Sequence, residues 1–124
     1  MKKKFDYKFD DSLGLLFKTY YGPITIEDIE ASWEYAFDNN LIPKGVKGFI
    51  LDYHNANFTF SLDQHFLIAN FYKNHLEIFG NLKIAILVTD PADIVVPILV
   101  EQKDDGYYSK PFFTLEAAIH WVLF

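Results

Sequence analysis

Hydrophobic and polar residues alternate in the first part of the chain, as they do in a strand with one buried face. Charged residues separate the aromatic residues Phe5, Tyr7 and Phe9. The turn-forming cluster Asp10-Asp11-Ser12 follows, and a second apolar segment runs from Leu13 to Tyr21. This pattern predicts two antiparallel strands joined as an N-terminal hairpin.

A helical period replaces the alternation after Gly22-Pro23. Thr25 and Asp28 stand at the spacing of a capping box, in which each side chain bonds to the backbone of the other residue. Apolar residues then recur at helical spacing and predict a buried stripe, formed by Ile26, Ile29, Trp33, Ala36 and Phe37. The acidic residues fall mostly on the outer face, which could dock a basic partner: Glu27, Asp28, Glu30, Glu34 and Asp38.

The middle of the chain combines an apolar segment with a long helical one. Val46 to Tyr53 is apolar at nearly every position after Lys47, which is typical of a central strand covered on both faces. A polar and aromatic loop, His54 to Phe60, is predicted to follow it. One helix is then predicted from Ser61 to Phe79, ending at Gly80. This helix is apolar on most sides, so we expect part of its apolar surface to remain uncovered.

A further strand and an ambiguous segment come next. Leu82 to Val88 predicts a second buried strand. The β-branched residues of Ile94 to Lys103 favour a strand, but Pro97 argues against any central strand. With Asp93 as the cap, Pro97 falls in the first turn of a helix, where its missing N–H costs little. A helix is therefore preferred, and an edge strand remains the alternative.

The C-terminal segment predicts one more strand and one more helix. Tyr107 to Phe113 is the predicted strand, and Thr114 begins the helix, whose inward residues are predicted to be Leu115, Ala118, Ile119 and Val122. The whole order is β-β-α-β-α-β-α-β-α. Because strands joined through helices run parallel, the chain is predicted to be one α/β domain over residues 1–124. Its sheet is mixed and mostly parallel, with an antiparallel N-terminal hairpin and about four helices.

Composition and charge narrow the classes of function. The chain has 124 residues, of which 51% are hydrophobic and 19% aromatic, enough for a packed core. Its formal net charge of −6 argues against a nucleic-acid partner, which needs a basic face. The basic cluster Lys2-Lys3-Lys4 is interpreted as a solubilising terminus rather than a membrane tether.

The expected compartment is the cytoplasm. The chain has no cysteine, which excludes disulfides, thiol catalysis and thiolate metal sites and fits a reducing environment. No apolar run follows Met1 as it would in a signal peptide. The longest apolar run, Ile94 to Val100, is too short to span a bilayer.

Two motifs resemble one known family. The first motif is Gly48-Phe49-Ile50-Leu51-Asp52, followed by a loop and a helix at Ser61. The second is the closing segment from Phe112 to Trp121, which contains Glu116-Ala117 and ends in His120-Trp121. Together with the order of elements, they resemble the SpoIIAA-like, or STAS-like, family over roughly Phe5 to Leu123. This family contains relatives of anti-sigma-factor antagonists, and its fold is related to that of CRAL-TRIO lipid-exchange domains.

The resemblance implies two kinds of activity. A signalling branch of the family carries an Asp-Ser-Ser-Gly motif in which a partner kinase phosphorylates a serine. The matching stretch here is Phe60-Ser61-Leu62-Asp63, in which Phe60 replaces the Asp, Leu62 replaces the serine that is usually phosphorylated, and the Gly is missing. Ser61, the one serine kept, is the candidate phosphoacceptor. A second branch is closer to the lipid-exchange domains, and its bacterial members have no settled activity. The aromatic richness of this chain is closer to the second branch.

The candidate site lies after the third strand, at the carboxyl edge of the sheet, where open α/β folds usually bind their ligands. Ser61 with Gln64 forms a predicted capping box. Asp52 and His54 lie on one face of the strand and could form an acid–base pair, which His65 could face. Phe58 and Phe60 either tuck under the loop or form a hydrophobic lip. The predicted binding surface comprises Asp52, Tyr53, His54, Phe58, Thr59, Phe60, Ser61, His65 and Phe66.

These observations predict a non-catalytic binding or regulatory domain. It is expected to act through protein–protein contacts at this surface, with a protein partner or a second copy of the chain. The first alternative is a carrier of a small apolar ligand, with Tyr53 and His54 as polar anchors. The second is a hydrolase-type enzyme that uses Asp52 and His54. No spacing matches a metal-binding motif, and no cofactor is expected.

Overall fold

Five strands form one mixed sheet in the order β1-β2-β3-β4-β5 in the computed structural model, which describes residues 4–124. The strands are β1 (Phe5–Asp10), β2 (Leu15–Ile24), β3 (Gly48–Phe58), β4 (Lys83–Leu87) and β5 (Tyr108–Phe112). β1 is antiparallel to β2, and each later strand is parallel to its neighbour. The predicted hairpin and parallel sheet are confirmed. The predicted role of Lys2 and Lys3 lies outside the described residues.

Five α-helices and two short 3-10 turns connect the strands. The helices are α1 (Ile26–Asp38), α2 (His65–Lys73), α3 (Leu76–Phe79), α4 (Val95–Glu101) and α5 (Leu115–Leu123). The 3-10 turns are Leu62–Gln64 and Pro91–Ile94. No helix within residues 4–124 is long and apolar enough to cross a membrane.

The connectivity divides the helices between the two faces of the sheet. Because the parallel strands follow one another in sequence order, right-handed crossovers place α1 to α4 on the same face. The larger core lies on that face and includes Leu16, Tyr20, Trp33, Phe49, Leu51, Tyr72 and Phe79. α5 covers the opposite face with a smaller core, formed by Leu15, Ile50, Ala85, Ala118 and Val122.

The predicted capping box at the start of α1 is confirmed. The Asp28 backbone N–H donates to Thr25 Oγ1, and the Thr25 N–H donates to Asp28 Oδ2, both at 3.0 Å. Lys4 Nζ lies 2.9 Å from the same Asp28 oxygen. These contacts fix the start of α1, whose Trp33 is fully buried in the larger core.

β3 is longer than the sequence pattern indicates. The segment from His54 to Phe58, predicted as loop, is strand and pairs through Asn55 to Phe58 with Tyr21 to Ile24 of β2. The pairing is irregular where Thr19 to Tyr21 of β2 meets Asp52 to Asn55 of β3, and it continues beyond that point through Gly22-Pro23. The predicted loop is therefore wrong up to Phe58, because the backbone of β2 supplies a partner that the side-chain pattern does not reveal.

The single helix predicted from Ser61 to Phe79 is also wrong. A 3-10 turn precedes α2, and the chain leaves the helical conformation at His75 (φ −130°, ψ 41°) before α3 begins. His75 Nδ1 lies 2.8 Å from the Phe71 carbonyl oxygen, which a backbone N–H would occupy in a continuous helix. Gly80 ends α3, as predicted.

The last two helices confirm the element types but correct two residues. α4 is a helix, as preferred, with Pro97 in its first turn. Asp90, rather than the predicted Asp93, supplies the cap of the preceding 3-10 turn by accepting from the Ala92 N–H at 2.9 Å. In α5 the predicted inward residues Ala118 and Val122 are buried, but Leu115 is 41% exposed because it lies at the first helical position, outside the small core.

Candidate functional site

The parallel strands β2 to β5 end at one edge of the sheet, and the candidate site lies there. β3 brings Asp52 and His54 to this edge, and the 3-10 turn Leu62–Gln64 follows it. The segment after β4 adds Asp90 and Asp93. Carboxyl edges of parallel strands are the usual location of sites in open α/β folds.

Asp52 and His54 form a pair on one face of β3. His54 Nδ1 lies 2.6 Å from Asp52 Oδ1, and the His54 backbone N–H donates to the same oxygen at 2.9 Å. Asn55 Nδ2 lies 2.9 Å from His54 Nε2. Both ring nitrogens of His54 are therefore engaged, Nδ1 by the carboxylate and Nε2 by the amide. The predicted placement of the pair on one face is confirmed.

The occupied imidazole limits what the pair can do chemically. A general base needs a free nitrogen within hydrogen-bond reach of the proton that it removes. Here Asn55 occupies Nε2, and no hydroxyl among residues 4–124 is hydrogen-bonded to His54. The hydrolase alternative therefore has no hydroxyl nucleophile hydrogen-bonded to His54 in the described part of the chain. A carboxylate and an imidazole at a half-exposed edge can instead bind polar groups of a partner.

Tyr53 points to the opposite face of the sheet from its neighbours. Its side chain is 4% exposed, and its ring stacks on Tyr20 with centroids 4.2 Å apart. Burial raises the pKa of Tyr53, so the phenol stays protonated. Tyr53 packs into the larger core, whereas His54 is exposed and bonds to Asp52, so the structure does not bring the two predicted anchors together.

Phe58 and Phe60 pack inward from the end of β3. The Phe58 ring lies 4.7 Å from Tyr53 and 5.5 Å from Phe60, measured between centroids, and both phenylalanines pack against the larger core. Thr59 fixes this position, since its backbone N–H and its hydroxyl both donate to the Ile24 carbonyl, at 3.0 and 3.1 Å. Of the two interpretations of the aromatic pair, the structure favours the tucked one.

Ser61 and His65 do not make the contacts expected of them. The Ser61 side chain makes no capping hydrogen bond, so the predicted box with Gln64 is wrong. The cause is the 3-10 turn, in which the Gln64 N–H is taken by the Ser61 carbonyl at 2.9 Å. His65 Nδ1 lies 2.7 Å from the Leu62 carbonyl, which places the ring against its own turn rather than toward Asp52 and His54. Ser61 remains exposed.

Two large apolar side chains are exposed beside this edge. Leu62 is 50% exposed and Phe66 is 44% exposed. They are four residues apart across the 3-10 turn and the first turn of α2, a spacing that places side chains on one side of a helix. Phe66 belongs to the predicted binding surface, whereas Leu62 was left out of it. Its signal was an apolar residue in the first turn, four positions before Phe66.

Acidic residues occur in the same turn as this apolar pair and in the other segments that end at this edge of the sheet. Asp63 is exposed in the same turn, and Asp90 is exposed after β4. Burial raises the pKa of Asp93, and a hydrogen bond to the Phe58 backbone partly offsets this effect. With Asp52, these residues give the edge an acidic character, and no Lys occurs between Asp52 and Phe66 or between Thr89 and Val100.

An apolar cleft lies behind Tyr53, between the sheet and the helices α1, α2 and α4. It is lined by Ile29, Leu51, Tyr53, Phe58, Ile68, Tyr72, Ile86, Val96, Pro97 and Val100. A water-sized sphere can reach only about 20 Å³ of it, whereas ligand pockets usually offer roughly 300–1,000 Å³. A ligand would need the helices to move apart. The wall residues Ile68, Val96 and Pro97 were missed, because in the sequence they carry no signal beyond that of core residues.

No family model matches the chain, and no curated protein matches it significantly. A solved structure does match: an uncharacterised protein of the DUF3478 family from Shewanella loihica, which has a SpoIIAA-like fold. The identity is 17%, the match covers 98% of each chain, and the TM-score is 0.63. At this identity the likeness concerns the fold alone. The topology and the full-length match agree: this chain has a SpoIIAA-like fold.

Proposed function

We propose that the chain is a non-catalytic regulatory domain that binds a protein partner at the surface following β3. The observation that carries this proposal is the exposed pair Leu62 and Phe66 at the carboxyl edge of the sheet. Large apolar side chains that protrude together, with polar groups around them, are typical of the centre of a protein–protein interface.

The acidic residues of the segments that end at this edge indicate the chemistry of the partner. Asp52, Asp63 and Asp90 lie at this edge without a nearby lysine in the chain segments that form it. A complementary partner presents an apolar side chain to Leu62 and Phe66 and basic side chains to the carboxylates. Because exposed charge pairs are screened, the association is expected to weaken with added salt.

The test compares substitutions in the pair with a matched substitution elsewhere. Phe66→Asp and Leu62→Asp place a carboxylate in the proposed interface, and Leu115→Asp changes a residue of similar exposure (41%) on the first turn of α5. A partner enriched from the host by the wild-type protein is purified, and its affinity is measured for all three variants. We expect a loss of at least roughly tenfold for the first two, as for an interface hot spot, and little change for Leu115→Asp.

The result would count against this surface if the partner bound Phe66→Asp as tightly as wild type. Equal losses in all three variants would also count against it, because they would indicate a general effect of added charge. Thermal unfolding of each variant checks that the fold is intact.

Ser61 is the proposed regulatory position on this surface. Its hydroxyl is exposed and makes no capping bond, so a kinase could reach it without disrupting α2. A phosphate there adds negative charge to an edge that is already acidic and would strengthen contacts to a basic partner. The intact mass of protein from its own host, followed by peptide mapping, tests whether Ser61 is modified. An unmodified mass under all growth conditions would remove this regulation while leaving the binding surface in place.

The cleft supports a second candidate function, the binding of a small apolar ligand. Its walls are apolar, and Tyr53 provides a phenol in the lining. The closed state requires that α2 and α4 separate on binding. Native mass spectrometry of gently purified protein, with a denatured control, tests this candidate. An extra mass that disappears on denaturation is the expected result, and a bare chain that fatty acids do not stabilise thermally would exclude it.

A further inference from the structure

The two edges of the sheet offer different hydrogen-bonding groups. At the β5 edge, the Tyr108 N–H bonds to Leu82 and the Phe112 carbonyl accepts from Val88, so these residues face β4. The alternate residues Ser109 and Pro111 therefore face outward. The Asp104 carboxylate accepts both the Ser109 N–H and its hydroxyl, and proline has no N–H. The outward positions of β5 thus present no free donor.

The β1 edge is open by contrast. The Tyr21 N–H donates to the Lys4 carbonyl at 2.8 Å, which fixes the residues of β1 that bond to β2. By the antiparallel alternation, the N–H and C=O groups of Phe5, Tyr7 and Phe9 point away from β2. Within residues 4–124, no hydrogen bond reaches these outward groups. An unpaired row of this kind is a template for another strand.

The geometry points to a second copy of this chain as the occupant: we propose that β1 pairs antiparallel with β1 of a second molecule about a two-fold axis at Tyr7. In this register Phe5 lies opposite Phe9, and the three outward residues exchange about six backbone hydrogen bonds. Asp6 lies opposite Lys8 on the other side of the strand, twice by symmetry. Aromatic pairs and opposite charges are both favourable across strands.

Charge pairing favours this register over the one in which the two-fold axis moves by one residue to Lys8. A two-fold axis at Lys8 would place Lys8 opposite Lys8 and Asp6 opposite Asp10. Like charges directly opposite each other destabilise a strand pair. The axis at Tyr7 brings each Asp6 to a Lys8 and also leaves Phe5 to Phe9 fully paired.

The surface beside β1 can accommodate a second molecule. An open groove with about 410 Å³ of accessible space runs along this edge and is lined by Lys4, Phe5, Asp6, Tyr7, Tyr35 and Leu41. Tyr35 is 52% exposed and stacks on Tyr7, with centroids 5.8 Å apart. By helical spacing, Glu30 lies on the flank of α1 away from Tyr35 and Ser32, which contact Tyr7. Asp28 lies on the near flank, where Lys4 pairs with its carboxylate at 2.9 Å.

Sedimentation equilibrium at low ionic strength tests the proposal with two charge reversals. Lys8→Glu places two carboxylates opposite each other in each cross-strand pair, and Asp6→Lys places two ammonium groups there instead. We expect each to raise the dimer dissociation constant roughly tenfold to a hundredfold. Lys110→Glu is the matched control, because Lys110 is an exposed lysine on the opposite edge strand, and it is expected to leave the constant unchanged.

Mixing the two variants gives the decisive result. The Lys8→Glu chain is acidic at both positions of the pair, and the Asp6→Lys chain is basic at both. Opposite charges therefore meet at both pairs of a mixed dimer, so the mixture is expected to dimerise although neither variant does alone. The double variant Asp6→Lys/Lys8→Glu is expected to form a homodimer again. Thermal unfolding checks each variant, because Asp6 accepts a hydrogen bond from Tyr21 at 3.2 Å.

Three outcomes would overturn the proposal. The wild type could remain monomeric at the highest soluble concentration, which would leave the edge free for an extended segment of another protein. A wild-type dimer could be unaffected by both reversals, which would place its interface elsewhere. The mixture could fail to dimerise although both variants are folded, which would exclude the register about Tyr7.

Discussion

The Nζ atom of Lys18 lies 3.3 Å from the centre of the Trp33 ring. Lys18 is fully buried between β2 and α1, and its Nζ has no hydrogen-bond partner among the described residues. The rings of Tyr7 and Tyr20 also face it, at 5.8 and 5.2 Å from their centroids. Aromatic faces attract a cation, but they do not replace the water that the amine loses. Burial therefore holds the pKa of Lys18 well below its usual value.

This pKa shift predicts how stability changes with pH. In the window between the lowered pKa and the unfolded-chain value of about 10.4, the unfolded chain binds a proton that the folded chain does not. The free energy of unfolding therefore rises with pH across this window. At pH values below the lowered pKa, Lys18 is protonated in both states and its destabilising contribution no longer changes with pH. We expect Lys18→Met to remove this dependence and to stabilise the protein by roughly 1–3 kcal/mol, because no buried donor is left unsatisfied.

Chemical unfolding of wild type and Lys18→Met from about pH 7 to 9.5 measures the difference. The range stops there because burial also raises the pKa of Tyr7, Tyr20 and Tyr53 above that of an exposed tyrosine. The acidic residues are common to both proteins and cancel in the comparison. Parallel pH profiles for the two proteins would contradict a depressed Lys18 pKa.

Alanine substitution is expected to change the free energy of unfolding differently at the two N-cap positions, Thr25 and Ser61. Thr25 makes its capping bond and Ser61 makes none. Thr25→Ala is therefore expected to lower the free energy of unfolding by about 1 kcal/mol. Ser61→Ala is expected to change it by less than about 0.5 kcal/mol, as for an ordinary surface substitution. Urea unfolding of both variants checks this, and equal effects would contradict the assigned caps.

Gly48 is predicted to tolerate no side chain. A Cβ atom built there would overlap Val122 Cγ1 and would lie 2.8 Å from the Lys83 carbonyl oxygen. Gly48→Ala is expected to cost roughly 1–3 kcal/mol through overpacking between β3 and α5. Adding Val122→Ala should recover part of this loss, since it removes one of the two clashes. A double-mutant cycle measures the coupling, and strict additivity would mean that the two residues do not compete for space.

Sequence patterns predicted the elements whose cause is local. The stripe through Ile29 and Trp33 and the Thr25–Asp28 spacing determine α1 within a single segment. The alternation Leu16, Lys18, Tyr20 also places Lys18 on the buried face, but burial of a lysine is not expected from sequence because lysine is usually exposed. The fold class followed from the order of such elements.

Features that depend on distant residues could not be read from the pattern. His54 to Phe58 is strand because β2 continues beyond its register shift to meet it. The break at His75 follows from an imidazole that replaces a backbone donor. At the candidate site, the Asp52–His54 pair follows from their spacing of two, but the exposure of Leu62 depends on how the 3-10 turn is oriented against the sheet.

The difference between the β5 edge, with Pro111, and the open β1 edge also limits the number of molecules that can associate. In a pair joined through β1, both outer edges of the combined sheet are β5 edges, with their donors taken by Asp104 or missing at Pro111. A third molecule would find no strand template, so growth ends at a closed pair rather than in an open filament. The apparent mass should therefore reach a plateau as concentration rises. A sheet with two open edges would continue to add molecules. Here the Asp104 carboxylate and the Pro111 ring close the β5 edge.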